Sequence, residues 1–253
     1  MSDRCKTFRE RLTARDFIVG TFLKTPSSIV AEVLGLSALD SVAIDVEHAP
    51  FGRLELDQCI GALRAADMPS LVRVSDDSPT HIRNALDCGA TGVVVPHVTS
   101  ADQAAAIVKC SHFGPGGRGY AGSPRAADYT TKSMADYMAD SAAQTAVIVQ
   151  IEDLEALDRV SDIASIDGVD CLFVGRVDLA VAMGEAVSSA AVVDTVKEIC
   201  SACIGAGKAV GMFTPDLAEI PMWRELGASL FLLSSDQSML LAGADQLIGS
   251  IAD

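Results

Sequence analysis

Short apolar runs alternate with longer amphipathic stretches along the whole chain. The short runs are rich in Val, Ile, Leu and Phe and are bounded by polar residues or glycine, which is typical of buried parallel strands. The longer stretches repeat their apolar positions every three to four residues, which predicts helices. The predicted strands lie at residues 17–23, 41–46, 70–74, 92–96, 145–151, 171–174, 209–213 and 229–233. The predicted helices lie at residues 27–39, 54–66, 79–88, 101–110, 156–165, 190–206, 216–226 and 237–251.

This alternation favours an α/β fold, a closed (β/α)8 TIM barrel, over an open doubly wound sheet. No linker or change in composition divides the chain, so residues 1–253 are predicted to form a single barrel domain. One insertion, residues 113–144, interrupts the rhythm between the fourth and fifth strands and ends in a short helical piece at 134–142. Long connections are often functional, and we expect this one on the mouth side of the barrel.

The insertion begins with a glycine-rich segment, Gly114-Pro-Gly-Gly-Arg-Gly119. Its composition resembles a phosphate-binding loop, but it lacks the Walker lysine and follows a helix instead of opening one after a strand. ATP and dinucleotide binding are therefore disfavoured. The favoured interpretation is a flexible substrate loop that carries Arg118 and Arg125.

Composition narrows the class of protein further. The formal net charge is −15, from 34 acidic and 19 basic residues, and basic residues do not cluster with aromatic ones. Nucleic acid and anionic membrane surfaces are therefore not expected as partners. No apolar run reaches the length of a membrane span and residues 1–15 are polar and charged, so a cytoplasmic enzyme is expected. The seven cysteines lie mostly beside apolar residues, where reduced, buried thiols are expected.

Two carboxylates are candidates for binding a divalent cation. Gln150 and Glu152 end the fifth strand, and the two-residue period of a strand points both side chains to the same side. Asp178 follows the next strand, whose carboxyl end lies beside that of its neighbour in a barrel. Carboxylate oxygens suit a magnesium-like ion that completes its shell with water and substrate oxygens. The alternative is structural, with Glu152 capping the following helix and Asp178 capping a turn.

The segment after the second strand offers a candidate base. Asp45, Glu47 and His48 follow one another there, although a solvated acid cluster with an exposed histidine would have the same sequence. Arg73 lies within the third strand, where a permanent charge must find a carboxylate or line the barrel mouth. Asp87 ends a helix, where an acid is unfavourable for the helix dipole, and this hints at a partner elsewhere. The other histidines show no ligand spacing and are expected to be structural or exposed; they are His81, His97 and His112.

Taken together, these motifs resemble the HpcH/HpaI family of metal-dependent (class II) pyruvate aldolases, from about Phe22 to the C-terminus. Their order and separation carry the resemblance. The motifs are Ile44-Asp-x-Glu-His-Ala-Pro50, Val72-Arg-Val74, Leu86-Asp-x-Gly-Ala90, Arg118-Gly119, Gln150-Ile-Glu152 and Asp178-Leu179. The glycine-rich segment departs from the family pattern, and so does Arg176, which stands where family members usually have proline.

The resemblance implies a (β/α)8 barrel in a homo-oligomer, a hexamer or trimer of dimers, with the C-terminal helix at about 237–251 exchanged between subunits. It implies that Glu152 and Asp178 hold a divalent cation, Mg²⁺, Mn²⁺ or Co²⁺, which a 2-oxo acid such as pyruvate chelates. The backbone at Val177 and Asp178 would receive the substrate carboxylate.

The resemblance also assigns roles in catalysis. Arg73 would stabilise the enolate oxygen, and His48, oriented by Asp45, would act as acid and base in breaking or forming the carbon–carbon bond. Asp87 is a further expected catalytic position. Three more positions are expected to support substrate binding: Glu47, Gln150 and Arg118.

The predicted activity is therefore that of an aldolase acting on a 4-hydroxy-2-oxo acid, with small 2-oxo acids and aldehydes as its partners. The alternatives on the same fold are a citrate-forming condensing enzyme that uses oxaloacetate and a CoA-ester lyase. Arg118, Arg125 and Arg176 would suit a dicarboxylate, whereas no basic patch for the phosphates of CoA is apparent. A non-catalytic barrel that binds an oxo acid is the remaining alternative.

Overall fold

The computed structural model describes residues 3–251, except the side chains of residues 3, 4 and 6. It shows eight parallel strands that close into one barrel in chain order, with the first strand hydrogen-bonded to the last. The strands are β1 Ile18–Leu23, β2 Ser41–Asp45, β3 Ser70–Arg73, β4 Gly92–Val95, β5 Ala146–Ile151, β6 Cys171–Val174, β7 Ala209–Phe213 and β8 Ala228–Ser235. The predicted (β/α)8 fold is confirmed.

The helices cover the outside of the barrel and follow the predicted order. They are α1 Asp3–Thr13, α2 Ser28–Gly35, α3 Arg53–Ala65, α4 Pro79–Asp87, α5 Ala101–Ser111, α6 Met134–Gln144, α7 Leu154–Leu157, α8 Val160–Ala164, α9 Arg176–Met183, α10 Ala190–Gly205, α11 Ile220–Glu225 and α12 Asp236–Gly249. Two of these, α1 and α9, have no counterpart among the predicted helices. The predicted helix at 156–165 is replaced by the two short helices α7 and α8.

The core has two layers because side chains alternate across each strand. Val42 and Ile44 of β2 point outward into the layer between strands and helices, whereas Ala43 points into the barrel. Phe8 and Leu12 of α1 join the inner layer and are fully buried. The N-terminal helix therefore closes the barrel at the end from which the strands begin.

The insertion at 113–144 lies at the amino-terminal end of the barrel, so its expected position on the mouth side is wrong. It connects the end of α5 with the start of β5, and helices of such a barrel return the chain to the end where strands begin. Arg9 of α1 donates a hydrogen bond of 2.8 Å to the carbonyl oxygen of Ala142 in this segment. The position of the insertion follows from its place after a helix, before the next strand.

The C-terminal helix α12 is the least covered part of the described chain. Its side chains are exposed from residue 237 onward, and they include five large apolar ones that a monomer leaves in water. These are Met239, Leu240, Leu241, Leu247 and Ile248. Within residues 3–251, no helix is both long and apolar enough to cross a membrane.

Candidate active site

The carboxyl ends of the strands surround a cleft of about 330 Å³ at the mouth of the barrel. All strands are parallel, so the side chains that follow each of them meet at this end. Predicted site residues from four different parts of the chain line the cleft, together with Phe22, Lys24 and Arg176. These predicted residues are His48, Arg73, Gln150, Val177 and Asp178.

Asp45 and Arg73 form a buried ion pair because they are register partners in the adjacent strands β2 and β3. Arg73 donates from Nε to Asp45 Oδ1 at 3.0 Å and from Nη2 to Oδ2 at 2.8 Å. Although burial raises the pKa of Asp45, the hydrogen bonds and charge of Arg73 lower it below its ordinary value of 3.8. The pair holds the guanidinium fork in one orientation, 4.7 Å from the ring centre of Phe22.

Lys24 is a cleft residue that the sequence analysis did not identify. It directly follows β1, and its Nζ lies 3.3 Å from Asp45 Oδ2. The position after a strand was the available signal, because each such position in a barrel faces the mouth. A lysine is thus present in the site, and a Schiff-base mechanism must be tested directly.

His48 is exposed at the mouth, and its ring is free to meet a substrate. Its side chain is 55% exposed, with Nε2 at 3.7 Å from Glu47 Oε2. Asp45 does contact His48, but it accepts a hydrogen bond of 3.1 Å from the backbone N–H and not from the ring. Asp45 therefore fixes the backbone of His48, and Glu47 is the carboxylate nearest to its imidazole among the ion pairs observed.

Glu152 is almost fully buried just after β5, at 3% side-chain exposure. Gln150 Nε2 donates to its Oε2, and the backbone N–H of His97 donates to Oε1 at 2.9 Å. Burial raises the pKa of Glu152, these hydrogen bonds partly offset the rise, and the negative charge of Asp178 adds to it. A side chain at Gly175 would place its Cβ 2.6 Å from Glu152 Cβ, so the absence of a side chain there is a condition for this arrangement.

The donor set at the cleft fits a divalent cation. Glu152 and Asp178 supply carboxylate oxygens on neighbouring elements, which is the chemistry that a hard cation requires. One further buried oxygen, Gln150 Oε1, accepts no hydrogen bond within the described part of the chain. Buried polar atoms without a partner are uncommon in folded proteins, and a bound cation with its waters would satisfy this oxygen.

His97 directly follows β4 and lies among the acids of the cleft. Its side chain is 58% exposed, as expected, but Nδ1 lies 3.0 Å from Asp153 Oδ2 and Nε2 lies 3.5 Å from Glu47 Oε1. Burial lowers the pKa of His97, but the hydrogen bond to Asp153 and the charges of Glu152, Asp153 and Glu47 outweigh it and raise the pKa above 6.5. These acidic neighbours of His97 follow other strands, so no ligand spacing in the sequence marks it.

Asp87 and Arg118 are not brought to the mouth by this chain. Arg118 Nη2 lies 2.6 Å from Asp87 Oδ1 and 2.8 Å from the hydroxyl oxygen of Tyr137. Asp87 ends α4 just before β4 begins, and Arg118 lies in the insertion before β5, so both belong to the amino-terminal end of the barrel. The expectation that Asp87 and Arg118 join the other site residues is therefore corrected for the single chain. The position of Asp87 at the end of a helix predicted a partner elsewhere, and that partner is Arg118.

The arginines expected to receive a second carboxylate are already paired. Arg176 Nη1 lies 2.6 Å from Glu219 Oε2, and its guanidinium lies 4.9 Å from the ring centre of Trp223. Arg125 pairs with Asp57 at 2.6 Å, and Arg118 pairs with Asp87 as described. These contacts give Arg176 a structural role beside the cleft.

We therefore expect Arg176→Gln to lower the free energy of unfolding by about 1–2 kcal/mol, because it removes one charge-assisted hydrogen bond and one cation–π contact. The ratio of kcat/KM for a dicarboxylic and a monocarboxylic oxo acid should stay within about twofold, since the guanidinium is not free to bind substrate. Urea unfolding and steady-state kinetics measure the two quantities. Arg159→Gln, at an exposed helix-flanking position, is the control. A large change of the ratio would place Arg176 in the substrate site.

The buried Asp45–Arg73 pair predicts a pH-dependent stability difference. Asp45→Asn should lower the free energy of unfolding by about 3 kcal/mol at pH 7, because it removes the charged partner that bonds the buried Arg73 twice and leaves only Glu47 Oε2, 3.3 Å from Arg73 Nε, in ion-pair contact. The folded-state pKa of Asp45 is lowered, so its contribution is present above 3.8 and is lost as the pH falls below that value. Urea unfolding at pH 7 and at about pH 3 should therefore show a smaller difference at acid pH. Exposed Asp167→Asn is the control, and a difference independent of pH would contradict this assignment.

The comparisons with known proteins agree with the fold. The family model for the HpcH/HpaI aldolase/citrate lyase family matches residues 19–242. A hydroxypyruvate/pyruvate aldolase of Paraburkholderia phytofirmans is 35% identical over 260 aligned residues, covering 99% of this chain and 99% of that protein.

Solved structures give the same result. An HpcH/HpaI aldolase/citrate lyase family protein of Burkholderia cenocepacia superimposes with a TM-score of 0.92 at 35% identity, covering 98% of this chain and 100% of its own. Citrate synthase SbnG superimposes with a TM-score of 0.85 at 27% identity, covering 96% of each chain. With its barrel, its mouth residues and these matches over nearly its whole length, the chain belongs to the HpcH/HpaI aldolase/citrate lyase family.

Proposed function

We propose that the protein is a metal-dependent aldolase that cleaves or forms the C3–C4 bond of a 4-hydroxy-2-oxo acid through a pyruvate-type enolate. One observation carries the proposal: a buried carboxylate, Glu152, and a fixed guanidinium, Arg73, line the same end of the barrel. An enolate needs positive charge close to its oxygen, and the site offers both a cation ligand and a permanent cation. The similarity to a hydroxypyruvate/pyruvate aldolase supports the same substrate class.

In this proposal Glu152 and Asp178 hold the divalent cation, Mg²⁺, Mn²⁺ or Co²⁺. When bound, the cation supplies Lewis-acid polarisation of the 2-oxo group. The carboxylate of the substrate would lie at the start of α9, near the backbone N–H groups of Val177 and Asp178. No side chain of the described residues caps this helix at Gly175, so its first N–H groups remain available to an anion.

Arg73 would stabilise the negative charge that develops on the enolate oxygen. Arg73 lines the cleft, and its Nε and Nη2 bond Asp45, while its Nη1 has no hydrogen-bond partner within residues 3–251. A donor held in place before the reaction does not have to reorganise when the charge forms. Asp45 therefore acts by positioning Arg73.

His48 would move the proton at the C4 hydroxyl oxygen. In the cleavage direction its imidazole accepts that proton as the C3–C4 bond breaks, which releases the aldehyde and leaves the enolate of the oxo acid. In the reverse direction it returns the proton to the new alkoxide. Glu47, at 3.7 Å from its Nε2, would support the charged imidazolium, and Gln150 would hold Glu152 through its amide.

Release of pyruvate from a 4-hydroxy-2-oxo acid, with and without chelator, tests this proposal. We expect cleavage to stop in excess EDTA and to return when Mg²⁺ or Mn²⁺ is added. Borohydride should trap no adduct on Lys24, the lysine of the cleft. Full activity in excess chelator together with a trapped lysine adduct would replace the metal mechanism by a Schiff-base mechanism.

A condensing activity with oxaloacetate is the second candidate, favoured by the similarity to citrate synthase SbnG. The three arginines that would suit a dicarboxylic substrate are already in ion pairs, so they no longer favour such a substrate. They are Arg118, Arg125 and Arg176. Incubation with oxaloacetate and acetyl-CoA, followed by measurement of citrate, separates the two candidates.

We also propose that the protein is a homo-oligomer, a hexamer or trimer of dimers, in which α12 is exchanged between subunits. Its uncovered apolar side chains support this arrangement. The double variant Leu240→Glu/Leu247→Glu should sediment as a smaller species than the wild type, because charges would be buried at the contact. Gln246→Glu, on the same exposed helix, is the control for added charge. An unchanged sedimentation coefficient of the double variant would contradict exchange through α12.

A further inference from the structure

The amino-terminal end of the barrel, opposite the mouth, contains a second cavity of about 280 Å³. It lies beneath three neighbouring strands of the closed sheet, β7, β8 and β1. Arg15 and Phe17 line it from the segment before β1, Arg224 and Gly227 from the segment before β8, and Ile204 from the helix before β7. This end of a barrel usually serves stability, so a charged cavity there requires an explanation.

The two arginines of this cavity have no carboxylate partner. Among the described residues, no carboxylate oxygen lies within 4.0 Å of the guanidinium group of Arg15 or Arg224. Asp16, next to Arg15 in the chain, lies instead 3.9 Å from Arg11 Nε. In a chain with a net charge of −15, two unpaired guanidinium groups at one cavity form a local positive site.

An aromatic stack orients one of these guanidinium groups. The guanidinium carbon of Arg224 lies 4.2 Å from the ring centre of Phe17, whose ring centre lies 5.8 Å from that of Phe231 in the core. Stacking holds the plane of a guanidinium group while its N–H donors remain free at the edge. Arg224 therefore loses little further conformational freedom when it binds an anion.

A buried hydroxyl group at the same cavity also lacks a partner. Val210 pairs with Ala228 and Gly211 with Leu230, so Ser229 is the extra residue of a bulge in β8. Bulges of this kind direct a side chain away from the regular sheet. Ser229 lines the cavity and is 5% exposed, and its Oγ makes no hydrogen bond within the described part of the chain. Such buried hydroxyl groups are uncommon, and a bound oxyanion would accept the hydrogen bond.

We propose that this cavity is an anion site that binds the phosphate group of a small metabolite through Arg15, Arg224 and the Ser229 hydroxyl. A phosphate group carries between one and two negative charges at pH 7 and three or more acceptor oxygens. It thus matches two guanidinium groups and a hydroxyl donor, whereas one guanidinium group already satisfies a single carboxylate. The proposal does not depend on the aldolase function, because the cavity and the cleft lie at opposite ends of the barrel.

The competing interpretation is that both arginines serve only the helices that they follow or end. Arg15 lies just after α1, and Arg224 lies in the last turn of α11. Positive charges are favourable at the carboxyl ends of helices. This interpretation accounts for the arginines but not for the unsatisfied hydroxyl group of Ser229, and it predicts no anion binding at the cavity.

Isothermal titration of inorganic phosphate into the full chain, in metal-free buffer, distinguishes the two interpretations without turnover. The Kd for phosphate should rise by about tenfold or more in Arg15→Gln/Arg224→Gln. The control Arg83→Gln/Arg159→Gln removes the same charge from exposed positions and should keep the wild-type Kd. A wild type that binds no phosphate would overturn the proposal, as would equal Kd values in the wild type and the cavity variant, because the phosphate would then bind elsewhere.

A second variant tests the cavity without removing a charge. Ser229→Ala should raise the Kd for phosphate by about threefold or more, because the hydroxyl donor is lost. Its Tm without phosphate should stay equal or rise, since the change removes a buried polar group that has no partner. An unchanged Kd in this variant would overturn the assignment of the phosphate to the bulge in β8.

Two further ligands identify the source and the chemistry of the anion. Phenyl phosphate should bind at least about threefold more tightly than inorganic phosphate if the metabolite is a phosphate ester, because Phe17 and Ile204 can contact its organic group. Equal affinities would support the phosphate site and identify free phosphate as its ligand. Succinate carries two charges without a phosphate group, and succinate binding as tight as that of phosphate would overturn the proposed phosphate chemistry.

Discussion

Replacing Arg73 by lysine should lower kcat by about 10²-fold or more while the protein still folds. Lysine keeps the positive charge but cannot bond both oxygens of Asp45 and at the same time direct a further donor at the enolate oxygen. KM for the oxo acid should change much less, because Arg73 is expected to act mainly on the charge that appears in the transition state. Steady-state kinetics with a 4-hydroxy-2-oxo acid measure both constants.

Arg83→Lys is the matched control, since it makes the same change at an exposed position of α4. A folded Arg73→Lys protein with nearly normal kcat would remove Arg73 from charge stabilisation and leave it as a structural partner of Asp45. Loss of folding would be recognised from circular dichroism. The double variant Asp45→Asn/Arg73→Lys would then test whether the pair acts as one unit.

Replacing Glu152 by glutamine should reduce kcat/KM by about 10³-fold or more and abolish measurable binding of the divalent cation. Glutamine has nearly the same shape and can keep a contact with Gln150, so the change removes mainly the negative charge. Isothermal titration with Mn²⁺ and the cleavage assay measure the two effects.

The stability of the Glu152→Gln variant should not fall together with its activity. The folded-state pKa of Glu152 is raised by burial, so its ionised form costs stability at neutral pH, and the neutral amide removes that cost. In metal-free buffer at pH 7 we expect Tm to stay equal or to rise, which excludes unfolding as the cause of lost activity. Glu155→Gln, exposed on α7, is the control. Tight Mn²⁺ binding by the Glu152→Gln variant would show that residues other than Glu152 bind the metal.

The barrel and much of its mouth could be predicted because they follow from local patterns. Alternation within β5 placed Gln150 and Glu152 on one side, and the structure shows their side chains in contact. A charge within a strand required a partner, and Arg73 bonds Asp45 of the adjacent strand β2. Both inferences use only the geometry of single strands and their order around a barrel.

The parts that were missed depend on contacts between distant segments. His97 has no ligand spacing in sequence, because its acidic neighbours Glu47 and Glu152 follow two other strands, β2 and β5. The side of the barrel reached by residues 113–144 is fixed by their place after a helix and not by their length. Helix α1 was missed because its three buried residues, Cys5, Phe8 and Leu12, stand in a segment that is otherwise polar and charged.

Exchange of the methyl protons of pyruvate in D₂O, followed by proton NMR, tests the central claim most directly. The exchange requires an enolate but no aldehyde, so it isolates the step assigned to the cation site and Arg73. We predict rapid exchange by the wild type with Mg²⁺, none in excess EDTA, and recovery when Mg²⁺ is restored. Undiminished exchange in excess EDTA would contradict a metal-dependent enolate, and no exchange under any metal condition would contradict the pyruvate-type mechanism itself.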